Sequence, residues 1–211
     1  MTILGIYGAS GFGREVLSLA RLTGHADNQI AFIEDTPAAA MVSGIRVFNF
    51  EDFAMLPEEK LVALAIADSQ VRARLVEKVA DADVGFITLV APNAVIGNSV
   101  AIGNGGIFSP FSHVTCDATI GSHFHCNIYS YVAHDCQIGN FVTFAPGVKC
   151  NGNVHIEDHA YIGTGAILRQ GTPDKPLRIG RGAVVGMGAV VTKDVPAGEV
   201  WVGNPARQLT K

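Results

Sequence analysis

Between residues 90 and 168 this chain places an apolar side chain at every sixth position: Val90, Ile96, Ile102, Phe108, Val114, Ile120, Cys126, Val132, Ile138, Phe144, Cys150, Ile156, Ile162 and Leu168. Four residues after each comes a second, mostly small side chain, such as Ala94, Gly106, Ser112 and Ala118, with Phe124 the one large member. A helix repeats at about 3.6 residues and a strand at about 2, so neither produces a period of six. A fixed short repeat marks a solenoid. Three six-residue sides closing one triangular coil return the chain to the same place after eighteen residues, about 4.8 Å further along the axis. Residues eighteen apart are therefore expected to be neighbours.

Composition narrows the function classes. Of 211 residues 16% are charged, 24 are glycine, and the formal net charge is -4, which argues against a nucleic-acid partner held by a basic face. The first residues lack a basic leader and a long apolar core, and no apolar run approaches the roughly 20 residues of a membrane span. A cytoplasmic protein with no membrane partner is expected. Cys116, Cys126, Cys136 and Cys150 show no CxxC spacing, and the last three fall on inward phases, as small reduced core residues would.

Ahead of the repeat, residues 2–7 read as an apolar strand running into Gly8-Ala9-Ser10-Gly11-Phe12-Gly13. A helix with Val16, Leu17, Ala20 and Leu22 on its buried side should follow. Strand, glycine turn and helix make the first half of a nucleotide-binding βαβ unit, where the backbone can approach a ligand and the helix N-terminus favours a phosphate. The same turn also serves simply to pack a helix close to a strand. A strand over residues 29–33 ends in Glu34-Asp35, and an acidic residue there commonly bonds a ribose or sugar hydroxyl. Residues 61–67 predict a buried strand, Ser69 an N-cap, residues 70–79 a helix with Arg72, Arg74 and Lys78 outward, and residues 85–90 a last strand. Residues 1–88 thus read as a small Rossmann-like α/β domain and residues 89–211 as the coil. After Leu168 the period breaks into a Pro-rich loop, residues 169–178, and resumes at Ile179, Val185 and Val191. The step of eleven from Leu168 to Ile179 adds five residues to one side, and the last residues should cap the open end.

The repeat histidines are His113, His123, His125, His134, His155 and His159, and none falls on an inward phase, which predicts exterior imidazoles. His134 differs from the rest. Asp135 follows it and can orient the ring. Gly152 lies eighteen residues on, in the same phase, and the long loop departs from the same side two coils along. A base beside an exposed backbone N–H under a loop is the minimum set for acyl transfer. Thr164 follows Ile162 by two and Met187 follows Val185 by two, so these also stack on adjacent coils.

The glycine turn, Val132-Ala133-His134-Asp135-Cys136-Gln137-Ile138-Gly139, Cys150-Asn151-Gly152-Asn153-Val154 and Gly203-Asn204-Pro205-Ala206 together resemble the hexapeptide-repeat sugar acetyltransferases. That group includes bacterial sialic acid O-acetyltransferase and the N-acetyltransferases of nucleotide-linked 4-amino-4,6-dideoxy sugars. The resemblance implies a left-handed parallel β-helix, against the usual right-handed crossover, and a homotrimer with its sites between subunits. It implies acetyl-CoA as co-substrate, no metal, and a nucleotide-activated amino sugar destined for surface glycan as acceptor, with O-acetylation of a sugar as the close variant. It makes His134 the general base, Asp135 its support and Gly152 the oxyanion donor. Ser10, Gly11, Phe12, Glu34, Asp35 and Asn127 become sugar-nucleotide contacts, although Asn127 also suits a left-handed corner. Thr143, Thr164, Gly186, Met187 and Gly188 become coenzyme A contacts.

Other classes remain open on the residues. A metal enzyme of the carbonic anhydrase type needs three converging histidines, for which His123, His125, His155 and His159 are raw material. A non-catalytic scaffold would leave the pairing of His134, Asp135 and Gly152 without a use. A dehydrogenase is suggested by the glycine turn alone, but the first domain is small and no separate catalytic domain follows.

Overall fold

A computed structural model describes residues 2–210. The N-terminal part is a six-stranded sheet in the order β3-β4-β2-β1-β5-β6. Its strands are β1 (Thr2–Tyr7), β2 (Ile30–Ile33), β3 (Met41–Val42), β4 (Ile45–Phe48), β5 (Glu59–Leu64) and β6 (Gly85–Phe86). All pairings are parallel except the short β3–β4 hairpin. Helices α1 (Gly11–Leu22), α2 (Phe50–Ala54) and α3 (Ser69–Ala80) connect them. Because β1 pairs with β2 on one side and β5 on the other, the chain reverses direction at β1. A crevice opens there beyond the carboxyl ends of these strands.

From Leu89 onward the chain winds as a left-handed parallel β-helix with three flat faces of short strands. The ladder pairs Leu89 with Ile107, His125, Thr143 and Tyr161 in turn, eighteen residues apart, and every inward position from Phe108 on is buried. Beyond the loop the pairing becomes His155 to Arg178 and Tyr161 to Val184, which are the five extra residues. Phe124 has its own explanation. The stack Phe108–Cys126–Phe144 narrows at the cysteine, and the Phe124 ring fills that space edge-on to both phenylalanines, with centroids 5.8 and 5.0 Å away.

The corners follow their own rule. Three residues after each inward position from Ile96 to Ile162 the backbone turns left-handed, at Ser99, Phe111, Asp117, His123, Tyr129, Asp135, Phe141, Asn153 and His159, with glycines at 105, 147 and 165. Large side chains seldom adopt this conformation; here they stack on one another, as Phe111 on Tyr129 and His123–Phe141–His159 do at about 5 Å.

The N-terminal sheet docks through α1 onto the first face of the coil, and Leu89, Ala91 and Ile107 join its core. Several local expectations shift as a result. Leu22 is 56% exposed while Leu19 is buried, because the covered face of α1 runs through Val16, Leu19 and Ala20. Asp68, not Ser69, caps α3, accepting from the Gln70 and Val71 N–H groups. Arg72 points inward and is fully buried, since this face of α3 meets the coil. Residues 85–90 split between the sheet and the first coil strand, Leu89–Val90. No described helix is long and apolar enough to cross a membrane.

Candidate active site

His134 leaves the second face of the coil and begins a corner. The left-handed backbone of Asp135, φ 58°, turns its carboxylate back toward the preceding side chain, and Oδ2 lies 2.7 Å from His134 Nδ1. That contact directs Nε2 away from the acid. A Cβ built on Gly152 would stand 2.5 Å from both Cε1 and Nε2 of the ring, so only glycine leaves room for the imidazole. Among the described residues no acceptor takes the buried Gly152 N–H. The Asn153 N–H donates to the His134 carbonyl at 3.0 Å, and the Gly171 N–H of the long loop donates to the Gly152 carbonyl at 2.9 Å. Loop and adjoining coil thus fix the same peptide. The assembly is a half-exposed imidazole, an orienting carboxylate and a free N–H.

The crevice at the end of β1 holds the second group of candidates. Gly8 takes a left-handed φ of 104°, and a side chain at Gly13 would collide with the Gly8 carbonyl, so the turn brings α1 hard against β1. Tyr7, Ser10, Ile33, Glu34, Asp35 and Ile66 line a cavity of about 210 Å³. Ser10 forms no side-chain cap bond, and space beside Gly11 is open, so the helix N-terminus faces that cavity with unoccupied donors. Asp35 is partly engaged already. It accepts from Lys78 Nζ at 2.8 Å and from the Tyr7 hydroxyl at 2.5 Å, and these bonds, the lysine's first, hold its carboxyl below the usual range.

A third recess of about 220 Å³ follows the first face beside α1, lined by Phe12, His125, Asn127, Thr143, Tyr161 and Thr164 among others. Asn127 is not at a left-handed position, because the left-handed phase falls at Tyr129; instead its amide donates to the Phe144 carbonyl at 2.7 Å. Thr143 is 4% exposed, and its hydroxyl accepts from Arg72 at 2.9 Å. Arg72 also donates to the carbonyls of Ile66, Ala67 and Phe141 at 2.8, 2.9 and 2.6 Å. Burial, partly offset by Asp68, lowers its pKa to about 10. This guanidinium clasps the end of β5 to the coil. At the next corner Thr164 and Met187 are adjacent as their phase requires, with the Gly188 N–H on the Thr164 carbonyl at 2.8 Å, and Met187 is 81% exposed between Gly186 and Gly188.

Two of the six repeat histidines are not exterior. His123 and His125 are 4% and 1% exposed, because the docked sheet covers the first face, with Phe86 and Phe12 against their rings. Among the described residues no three His, Cys, Asp or Glu side chains converge as a metal site. One chain therefore joins the recess to the Thr164–Met187 corner through Thr164 but leaves His134 and Gly152 apart from both. The crevice and the recess lie by the first face, Thr164 and Met187 at the corner between the first and second, and His134 with Gly152 at the corner between the second and third.

Comparison with known proteins identifies the family. Residues 4–79 match the PglD N-terminal domain family. Over its full length the chain is 46% identical to the GDP-perosamine N-acetyltransferase of Escherichia coli O157:H7, of which the match spans 98%. WeeI from Acinetobacter baumannii AYE superposes with a TM-score of 0.96 at 54% identity, covering 99% of this chain and 100% of that one. The acetyltransferase domain of PglB from Neisseria gonorrhoeae FA1090, in complex with acetyl coenzyme A, superposes with a TM-score of 0.87 at 30% identity, covering 98% of each chain. With a full-length relative at that identity and the same sheet-plus-coil plan, the chain belongs to the hexapeptide-repeat sugar acetyltransferases.

Proposed function

We propose that the protein N-acetylates the amine of a nucleotide-linked 4-amino-4,6-dideoxy sugar with acetyl-CoA as donor, residues 1–88 holding the nucleotide and residues 89–211 carrying the transfer. The observation that carries this reading is the Gly152–His134 contact: the side-chain-free Cα of Gly152 packs against an imidazole that a carboxylate orients, and the Gly152 N–H has no acceptor among the described residues. In it, His134 Nε2 takes the proton from the amine as nitrogen bonds the thioester carbonyl carbon. The Gly152 N–H bonds the carbonyl oxygen as its charge grows, and His134 returns the proton to sulfur as the carbon–sulfur bond breaks. Asp135 stabilises the imidazolium between those steps. Ser10, Gly11 and Phe12 bind the diphosphate at the α1 N-terminus, and Glu34 and Asp35 face the nucleoside. Thr164 and residues 186–188 offer the coenzyme an exposed edge with glycine backbone on either side of Met187.

Because one chain sets His134 and the crevice on different sides of the coil, the reading requires another copy to bring its crevice to this His134, and a homotrimer meets that need. The relative from Escherichia coli makes GDP-perosamine the first acceptor to test. The experiment is thiol release from acetyl-CoA against GDP-, UDP- and dTDP-linked 4-amino sugars and free sialic acid, with the product analysed for the acetylated atom. Turnover with a nucleotide-linked amino sugar and acetyl on nitrogen is expected. Release with sialic acid alone would make the enzyme an O-acetyltransferase, and no release with any acceptor would remove the reading.

A further inference from the structure

Along the first face the outward row runs Leu89, Ile107, His125, Thr143, Tyr161. The first two are apolar and sealed under α1, while Tyr161 is 38% exposed. His125 sits at the step where the seam opens into the recess that it shares with Phe12, Asn127 and Thr143. It is 1% exposed, and neither ring nitrogen has a hydrogen-bond partner. The Leu64 backbone lies close enough to the ring to favour its protonated form, an effect that burial outweighs.

A neutral imidazole always presents one donor and one acceptor, and burying both unpaired is costly. A side chain like Ile107 would fill this step without that penalty. Phe12 packs on the ring at 5.2 Å and fixes its plane. Burial first, then the Arg72 charge, hold its pKa well below the ordinary histidine value, so the ring is uncharged near neutrality and is no counter-ion for a phosphate. What satisfies it is a neutral hydroxyl or amide. The recess is smaller than the usual small-molecule site, of a size for one sugar ring and not a nucleotide. It also adjoins the Ser10–Phe12 turn, so a sugar reaching it stays attached to a diphosphate at α1.

We propose that His125 is a specificity-determining residue that hydrogen-bonds a ring hydroxyl of the acceptor sugar in this recess. The assignment rests on the functional reading above. It is tested by calorimetric titration of wild type and His125→Leu with GDP and UDP and with the matching nucleotide-linked 4-amino sugars, beside thermal unfolding. Leucine continues the apolar row, so the melting temperature should not fall. Affinity for the nucleotide sugar should drop about tenfold, the worth of one buried hydrogen bond, while affinity for the free nucleoside diphosphate stays unchanged. His125→Phe serves for the same comparison if the leucine variant does not fold. Unchanged sugar-nucleotide affinity, or an equal loss for the free diphosphate, would overturn the assignment alone. Failure of wild type to bind any nucleotide sugar would overturn the functional reading and the assignment together.

Discussion

Replacing Gly152 by alanine isolates the contact on which the active-site argument stands. The new Cβ would lie 2.5 Å from two atoms of the His134 ring, where ordinary contact begins near about 3.4 Å, so the ring must retreat by roughly 1 Å. The backbone at Gly152 is not left-handed, so alanine adds no conformational strain, and the N–H is retained. Displacement of a reacting group by about 1 Å costs on the order of 100-fold, or about 2.7 kcal/mol of barrier. Stability should change by no more than about 1 kcal/mol, because the half-exposed imidazole can swing outward. The assay is initial-rate thiol release at saturating acetyl-CoA, with a melting curve on the same sample. The double variant with His134→Ala should be no slower than His134→Ala alone, since the alanine acts through the ring. A Gly152→Ala enzyme within threefold of wild-type kcat would refute the reasoning, as would a full further loss on the His134→Ala background.

Other consequences follow from the seam and the assembly. Arg72→Met leaves three carbonyls and the Thr143 hydroxyl without their donor and should lower stability by about 2–4 kcal/mol, read as an earlier urea midpoint; an unchanged midpoint contradicts the clasp. His123, lowered to about 4, and His125, held well below the ordinary histidine value by burial, are neutral in the folded chain near neutrality, so unfolding takes up protons once pH falls below about 6.5. Stability should be full above that pH and decline toward pH 4, His123 alone contributing up to about 3 kcal/mol, and a flat urea midpoint between pH 7 and 4.5 would contradict their burial. If crevice and His134 of one site belong to different copies, mixed oligomers of His134→Ala and a crevice-blocked Ser10→Trp variant should regain part of the activity that each lacks alone. Mixing that restores nothing would place the whole site within one chain.

The period of six is a local rule, and the inward ladder and the pairings between coils are legible from it. It set the inward ladder, put Gly152 beside His134 and put Thr164 beside Met187 without reference to the rest of the molecule. What it does not govern is which face another part of the chain will cover. His123, His125 and Arg72 were expected outside, and docking of the N-terminal sheet buried all three. A signal was present in the outward row: Leu89 and Ile107 are apolar on the first face, whereas Thr119 and Gln137 occupy the corresponding row of the third. An apolar outward row means a partner surface, and His125 continues it. Asn127 suits a left-handed corner by residue type, but the spacing of the glycines at 105, 147 and 165 puts that corner two residues on, at Tyr129.

Turnover by wild type and by His134→Ala, measured side by side with acetyl-CoA and a GDP-linked 4-amino sugar, bears most directly on the account. General-base catalysis contributes about 10²–10⁴, so the prediction is steady N-acetylation by wild type and a fall of at least about 100-fold in kcat for a variant that folds and melts normally. A His134→Ala enzyme within tenfold of wild type would contradict it.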